Sequence, residues 1–258
     1  MQEANELFPA YEFVEIIPTK YGIIDTTYIV KSSACEYILK RYERATEKEI
    51  ETNNALLALL FASNLNTPKL LDKNKEWYLY TKLKGEIPKN IELMHIKKVA
   101  NFMAEFHNIS KNFKVAAPFI SKHKINTLLA TLKKSHYFYY KKLSCLHTLV
   151  QKEDGFIHGD LFRDNTLFAG GKIAVFDFID GGLGAFSFDI AVALLSFNPK
   201  NRALYHTIFL QTYNQKAKKK ITKKTLQQQL HAASKFYALL RIVHDKKTER
   251  AKELANFW

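Results

Sequence analysis

The segment from His158 to Asn165, together with Asp177, contains residue types that could carry out phosphoryl transfer. A kinase needs one carboxylate beside the attacking hydroxyl and two oxygen ligands on the magnesium ion that bridges the ATP phosphates. Asp160 could be that carboxylate, and Asn165 and Asp177 could be the two metal ligands. The spacing therefore predicts a site for ATP, Mg²⁺ and a substrate hydroxyl.

A β-hairpin is predicted between the two candidate metal ligands. Two apolar, strand-like runs flank Gly170 and Gly171, and glycine tolerates the positive φ angles that a two-residue turn requires. Folding the chain there would bring Asn165 and Asp177 to the same open end, roughly 5 Å apart, which is one inter-strand spacing. Each residue could also be an ordinary turn or cap, but their joint spacing favours a shared, oxygen-seeking cation.

The same motifs resemble the aminoglycoside phosphotransferase and choline kinase superfamily, whose members are small-molecule kinases with a protein-kinase-like fold. The similarity is carried by His-Gly-Asp-Leu-Phe-Arg-Asp-Asn from position 158, Phe-Asp-Phe from 176 and Phe-Asp-Ile-Ala from 188. Within the superfamily, these motifs look most like those of homoserine kinases. The resemblance covers about 155–195 strongly and the amino-terminal part more weakly, and it is absent beyond about residue 198.

The resemblance implies an α+β, protein-kinase-like fold with two lobes, and the hydrophobic pattern agrees. Residues 1–82 should form a β-rich nucleotide-binding lobe, with strands at 11–17, 23–31, 36–42, 69–71 and 77–81. A helix near 46–62 would start with Thr46 and Glu49 as a capping box. Residues 83–258 should form a helical lobe with the catalytic loop and the acceptor site. Its helices are predicted near 91–109, 125–150, 188–196, 202–214, 225–244 and 248–257.

Lys40 is the candidate ligand of the α and β phosphates. It alternates with apolar residues on the third predicted strand, so its side chain can point into the cleft, although an exposed face is the alternative. The resemblance implies a glutamate partner on the next helix, but Asn53 occupies that position. We assign Glu49, one turn earlier, as the substitute.

The resemblance also implies two backbone segments around the nucleotide. Gly22 would lie in a short turn that covers the phosphates, because glycine permits close backbone approach, although a plain hairpin turn fits the same residues. Residues 81–85 match the connector between lobes, so Thr81 and Leu83 would lie beside the adenine.

The choice of acceptor depends on the family resemblance, which favours homoserine. Homoserine is a zwitterion, and Arg163 and Asp180 are candidate anchors for its carboxylate and ammonium groups. Choline, ethanolamine and aminoglycosides are alternative substrates within the superfamily, and a non-catalytic, basic binding module is the alternative of another class. His158 is expected to hydrogen-bond the loop, and Asp189 to begin a helix or to support the catalytic loop, rather than to react.

Composition limits the remaining possibilities. The chain has 258 residues, a formal net charge of +14 and two cysteines, Cys35 and Cys145, which fit a cytoplasmic location better than a disulfide scaffold. No apolar run approaches the length of about 20 residues that spans a bilayer, so we expect no membrane partner. Its lysines fit solvated helix faces better than a nucleic-acid site, because no nucleic-acid-binding motif accompanies them.

Overall fold

The computed structural model describes residues 2–19, 25–113, 117–149, 152–197, 202–244 and 252–254. Its α+β composition confirms the predicted fold class. The chain divides into a β-rich unit, Met1–Glu86 with Leu167–Ile179, and a helical unit, Ile87–Thr166 with Asp180–Trp258. The division differs from the expected boundary at 82/83, because residues up to Glu86 and the hairpin group with the β-rich unit. The hairpin is held there by backbone bonds between Glu86 and Phe168 and from Val175 N–H to Asn66 O.

A five-stranded antiparallel sheet forms most of the β-rich unit, in the order β1-β2-β3-β5-β4. Its strands are β1 (Glu15–Pro18), β2 (Thr26–Lys31), β3 (Glu36–Arg41), β4 (Leu70–Asn74) and β5 (Trp77–Thr81). In this register Lys40 of β3 lies opposite Thr27 of β2 and Tyr78 of β5. Val30, Leu39 and Leu79 are fully or almost fully buried. Lys40, the phosphate-binding candidate, therefore lies on the central strand of the sheet, and one face of this sheet is buried.

The first strand starts later than predicted. Glu12 adopts a left-handed conformation with φ 49°, and both backbone groups of Phe13 bond to the side chain of Asn5. These bonds take the place of strand pairing at Phe13, so β1 begins at Glu15. Asn5 belongs to a short helix that the sequence pattern did not predict, α1 (Gln2–Leu7).

The helix α2 (Glu47–Ala62) begins at the predicted capping box. The side chain of Thr46 accepts a bond from the backbone N–H of Glu49, and Glu49 accepts one from the backbone N–H of Thr46. Ile50, Leu56 and Leu60 are buried along one face of α2. The capping box thus fixes the start of α2, and the apolar face fixes its orientation.

The helical unit is built from two close helix pairs, in which α3 packs on α7 and α6 packs on α8. The helices of this unit are α3 (Leu93–Ser110), α4 (Lys122–Ser135), α5 (Tyr137–Leu143), α6 (Phe186–Ser196), α7 (Arg202–Lys216) and α8 (Lys223–His244). α6 is buried along almost its whole length. A helix that is apolar around most of its circumference is expected in the interior of a protein. Along the chain, α6 begins nine residues after Asp177.

The single helix predicted at 125–150 is wrong. The chain leaves the helical conformation at His136, with φ −145° and ψ 70°, so that α4 ends at Ser135 and α5 begins at Tyr137. The break lets Leu143 and Leu146 pack in the same buried cluster as Leu128. A straight helix would carry these side chains away from that cluster. The helix expected at 248–257 lies largely outside the described residues.

Two short strand pairs are formed by residues on either side, along the chain, of the segment from His158 to Asn165. The strands β6 (Gly155–Ile157) and β9 (Gly182–Gly184) pair antiparallel within the helical unit. The strands β7 (Thr166–Ala169) and β8 (Lys172–Val175) form the predicted hairpin. Gly170 and Gly171 make its turn with φ angles of 53° and 73°, so the turn prediction is confirmed. None of the helices in the described part of the chain is long and apolar enough to cross a membrane.

Candidate active site

Asp160 and Asn165 are joined within one loop of the helical unit. The side-chain amide of Asn165 donates to the backbone carbonyl of Asp160 at 2.7 Å and to its carboxylate at 3.2 Å. The backbone N–H of Asp160 in turn bonds to Nδ1 of His158 at 3.3 Å. Because the amide nitrogen of Asn165 is directed to Asp160, its Oδ1 is the side-chain atom suited to a cation.

Asp189 binds the backbone of the loop that carries Asp160. It is fully buried and accepts backbone N–H bonds from His158 at 3.0 Å and from Gly159 at 2.8 Å, together with a 3.0 Å bond from the ring of His107. Burial alone would raise the pKa of the Asp189 carboxyl, but these bonds and the nearby imidazoles outweigh it, so the pKa is lowered. The supporting role expected of Asp189 is therefore confirmed.

Gly159 has no room for a side chain. Its φ is 74°, and a β-carbon built on it would come within 2.1 Å of the Phe119 ring. The hydroxyl of Tyr237 from α8 donates to the Gly159 carbonyl. Burial, reinforced by the charge of Asp160, raises the pKa of Tyr237 well above its usual value, so that the hydroxyl stays a donor. Phe119, Tyr237 of α8 and Asp189 of α6 thus fix the backbone directly before Asp160.

Lys40 lies between two carboxylates in the β-rich unit. Its ammonium nitrogen is 2.9 Å from Oδ2 of Asp25 and 3.1 Å from Oδ1 of Asp177, and it stands 4.6 Å from the centre of the Tyr42 ring. Burial tends to lower the pKa of Lys40, but the charges of Asp177 and Asp25 outweigh it and the net pKa is raised. Lys40 therefore stays charged.

Asp177 has an unusual backbone conformation. It follows the hairpin with φ 68°, one of four positive-φ residues other than glycine in the described part of the chain. Aspartate tolerates this left-handed region better than most residues, but the conformation still carries strain. With Oδ1 on Lys40, its carboxylate is 38% exposed and retains Oδ2 as an oxygen suited to a hard cation.

The assignment of Glu49 as the partner of Lys40 is not supported. Glu49 is exposed and its Oε2 accepts bonds from the backbone and hydroxyl of Thr46, since it serves the capping box. Asn53, at the position expected for a glutamate, is 4% exposed. Its amide nitrogen lies 3.5 Å from the Tyr42 hydroxyl, whereas its Oδ1 is buried without a hydrogen-bond partner among the described residues.

A cavity of about 420 Å³ lies beside the connector within the β-rich unit. Both connector candidates, Thr81 and Leu83, line it, and Ala169 and Lys172 of the hairpin lie on another side. The hydroxyl of Thr81 accepts a bond from the backbone of Lys69. The cavity is thus bordered by the connector, and contact of Thr81 and Leu83 with a nucleobase remains a prediction.

The remaining candidates have weaker support from the structure. Gly22 lies outside the described residues. Arg163 is exposed, and its backbone N–H bonds to the hydroxyl of Ser196, while Asp180 is exposed after the hairpin. A further arginine, Arg241 of α8, stands 6.0 Å from the Phe162 ring and was not predicted.

Sequence reasoning also missed Asp25, the 2.9 Å partner of Lys40. The strand register carries the missing signal: Thr27 pairs with Lys40, and Asp25, two residues earlier, falls on the same face of the sheet. Across the described ranges, no group of three His, Cys, Asp or Glu side chains could hold a metal. Shared coordination of one cation by Asn165 and Asp177 remains a prediction.

A family model described as "Phosphotransferase enzyme family" matches residues 15–220. The chain belongs to this family. The match includes every candidate residue named above except Arg241 of α8 and its neighbour Tyr237, so the motif-based assignments lie inside the family region. The resemblance predicted from the catalytic motifs is confirmed.

Curated relatives at low identity are named homoserine kinases. The protein from Polaromonas naphthalenivorans is 23% identical over 201 residues, which cover 67% of this chain and 62% of that protein. The protein from Methylobacillus flagellatus is 24% identical over 222 residues, covering 75% of this chain and 67% of that one. The match to the Polaromonas protein thus spans less than two thirds of its length.

Several solved structures share the fold. The amicoumacin kinase hAmiN has a TM-score of 0.76 at 18% identity, with coverage of 99% of this chain and 90% of that one. An aminoglycoside 2′-phosphotransferase has 0.71 at 16%, covering 99% and 93%. The choline kinase LicA from Streptococcus pneumoniae has 0.67 at 16%, covering 99% and 97%. At these identities the similarity establishes the fold alone.

Proposed function

We propose that this protein is an ATP- and Mg²⁺-dependent kinase that phosphorylates a hydroxyl group of a small molecule. The observation that carries the proposal is the 3.1 Å ion pair of Lys40 and Asp177. These residues are far apart in sequence, and they are the ones assigned to the nucleotide phosphates and to the metal. A phosphate-binding lysine beside a metal-binding carboxylate is the arrangement that phosphoryl transfer requires.

Each unit contributes a separate part of the chemistry. In the helical unit, Asp160 accepts or orients the proton of the acceptor hydroxyl, on a loop that Asp189 holds rigid. Asn165 and Asp177 would hold the magnesium ion, which supplies neutralisation of charge on the phosphates. Their oxygen donors and the exposure of the Asp177 carboxylate fit such an ion.

The nucleotide is the part of the proposal with the broadest support. Related structures of the same fold are described with AMP-PNP and Ca²⁺, with ADP and with GDP. In this chain, Lys40 would bind the α and β phosphates, and the backbone around Thr81 and Leu83 would bind the base. We propose ATP with Mg²⁺ as the physiological pair, used in the cytoplasm.

For the acceptor we propose homoserine, with O-phosphohomoserine as the product. The relatives named homoserine kinases support this choice, as do the motifs around Asp160 and Asp177. Asp180 is the candidate anchor for the ammonium group. Arg163 was assigned to the carboxylate, and Arg241 of α8 is a second candidate, because it contacts Phe162 two residues after Asp160.

A second group of acceptors is favoured by the solved structures. Proteins of the same fold are named as choline, ethanolamine and aminoglycoside kinases. These acceptors carry positive charge without a carboxylate. They should therefore be distinguishable from homoserine by their independence of both arginines.

A coupled assay of ADP release tests the proposal. The purified protein is given ATP and Mg²⁺ with homoserine, choline, ethanolamine or an aminoglycoside in turn, and each reaction is repeated with EDTA. We expect Mg²⁺-dependent release with homoserine and none with Asp160→Asn. Release with choline or an aminoglycoside alone would reassign the acceptor. Absence of release with every alcohol, together with absence of nucleotide binding, would refute the kinase and favour a non-catalytic binding module.

A further inference from the structure

The ion pair that orients Lys40 differs from the one the family resemblance leads us to expect. We infer that Asp25, the residue directly before β2, is the positioning residue that orients Lys40 toward the nucleotide phosphates, in place of a glutamate on α2. The inference rests on the proposed function, since it assigns a phosphate-binding role to Lys40. It concerns residues of the β-rich unit only.

Asp25 is built into the sheet as a fixed anchor. Its Oδ2 lies 2.9 Å from the Lys40 nitrogen, and its Oδ1 accepts the backbone N–H of Glu43 at 3.2 Å. The carboxylate is 14% exposed, compared with 38% for that of Asp177. Because both oxygens are bonded and the side chain has little access to water, the carboxylate of Asp25 is held in one orientation. It therefore also fixes the position of the Lys40 ammonium group.

Among the described residues, the ion pairs of Lys40 are with Asp25 and Asp177, and none is with a glutamate of α2. Asn53 is neutral, and its amide nitrogen lies 3.5 Å from the hydroxyl of Tyr42. The centre of the Tyr42 ring is 4.6 Å from the Lys40 nitrogen. Glu47 bonds to Lys73, Glu49 serves the capping box, and the third glutamate of α2, Glu51, is exposed. Asn53 stands at the position where the resemblance implies the glutamate, and its Oδ1 is buried without a hydrogen-bond partner in the described ranges.

Asp177 cannot take over the orienting role. As a proposed magnesium ligand, Asp177 would give its carboxylate to the cation when the nucleotide binds, and Lys40 would give its ammonium group to the phosphates. Asp25 is the carboxylate that stays beside Lys40 in both situations. It would keep the ammonium group charged and limit its rotation, which is the task that a helix glutamate performs in kinases.

The experiment compares Asp25→Asn with three further variants. Asp72→Asn, on the exposed face of β4, removes the same charge elsewhere in the sheet. Asp25→Glu keeps the charge, and the double variant Asp25→Asn with Asn53→Glu moves it to α2. For each protein, ATP affinity is measured by calorimetry with Mg²⁺ and with EDTA, kcat and KM are measured with the acceptor, and thermal unfolding reports the fold.

We expect Asp25→Asn to lower kcat/KM for ATP by about 10–100-fold and to weaken nucleotide binding in EDTA as well, where Asp177 has no metal to hold. Asp72→Asn should match the wild type, and Asp25→Glu and the double variant should recover part of the loss. Unchanged nucleotide affinity in a folded Asp25→Asn protein would overturn the inference. So would a loss that follows the drop in thermal stability and that neither carboxylate restores. If the wild type binds no nucleotide, the proposed function fails instead.

Discussion

Oδ1 of Asp189 accepts a 2.8 Å hydrogen bond from the backbone N–H of Gly159, and both residues are buried. The second oxygen of Asp189 accepts from the backbone N–H of His158 and lies 3.0 Å from the His107 ring. A single carboxylate thus connects α3, α6 and the loop that presents Asp160. These bonds all lie within the helical unit, so we expect them to hold the loop in shape before any ligand binds.

We expect Asp189→Asn to damage both stability and activity. The amide keeps the size of the side chain, but it loses the charge that strengthens two buried backbone bonds and places an N–H₂ where acceptors are needed. The free energy of unfolding should fall by about 2 kcal/mol or more, as measured by denaturant titration. Asp164→Asn, an exposed change in the same loop, is the control. Equal unfolding free energies for the two variants would contradict the role of Asp189.

Asp160→Asn should reduce turnover severely without loss of nucleotide affinity. Asparagine can still accept the bond from the amide of Asn165, so the loop should keep its shape, but it cannot take up a proton. We expect kcat to fall by roughly 10²–10⁴-fold, while ATP affinity, measured by calorimetry, changes little. A variant that turns over at a near-normal rate would remove Asp160 from the mechanism.

Substitutions of Asp177 should separate strain from metal binding. Asparagine tolerates the φ of 68° as aspartate does, so Asp177→Asn should leave stability nearly unchanged while Mg²⁺-dependent nucleotide affinity drops. Asp177→Ala should lose the same affinity and also about 1–2 kcal/mol of unfolding free energy, because alanine is strained in this conformation. Nucleotide titrations with and without Mg²⁺, combined with denaturant titrations, test both parts. If Mg²⁺ still strengthened binding in both variants, the metal role would be lost.

His206 on α7 should make stability depend on pH. Burial, with the nearby charge of Arg202, lowers its pKa from 6.5 to about 4. Between these values the unfolded chain binds a proton that the folded chain does not. The free energy of unfolding should therefore decrease as the pH falls from about 6.5 to about 4. Below pH 4, His206 should cause no further decrease.

The variant His206→Gln provides the comparison for this prediction. Glutamine cannot take up the proton, so the difference in unfolding free energy between variant and wild type should change with pH across the same window. Denaturant titrations at intervals of pH measure that difference. A constant difference would show that His206 titrates alike in the folded and unfolded chain.

The parts of the fold that follow from local chemistry could be predicted from the sequence. The capping box at Thr46 and the turn at Gly170 and Gly171 depend on residues a few positions apart, and the structure contains both. The fold class followed from the catalytic motifs. The break at His136 had no such signal, because neither glycine nor proline marks it and the packing of Leu143 decides it.

The missed parts of the site depend on contacts between distant positions. Asp25 meets Lys40 through the register of two strands, which hydrophobic alternation does not specify. The link from Asp189 to His107 joins residues of different helices that the sequence pattern treats as separate. The strands at Gly155 and Gly182 have three residues each, too few for a periodic pattern to show.

The location of the Lys40 partner in the neighbouring strand has a regulatory consequence. Where a helix supplies the glutamate, displacement of that helix can break the ion pair and turn a kinase off. Here Asp25 and Lys40 lie on one β-hairpin, tied together by the pairing of β2 with β3. If α2 moved, the pairing of β2 with β3 would still hold Asp25 beside Lys40, so we expect the proposed kinase not to be inactivated by this route.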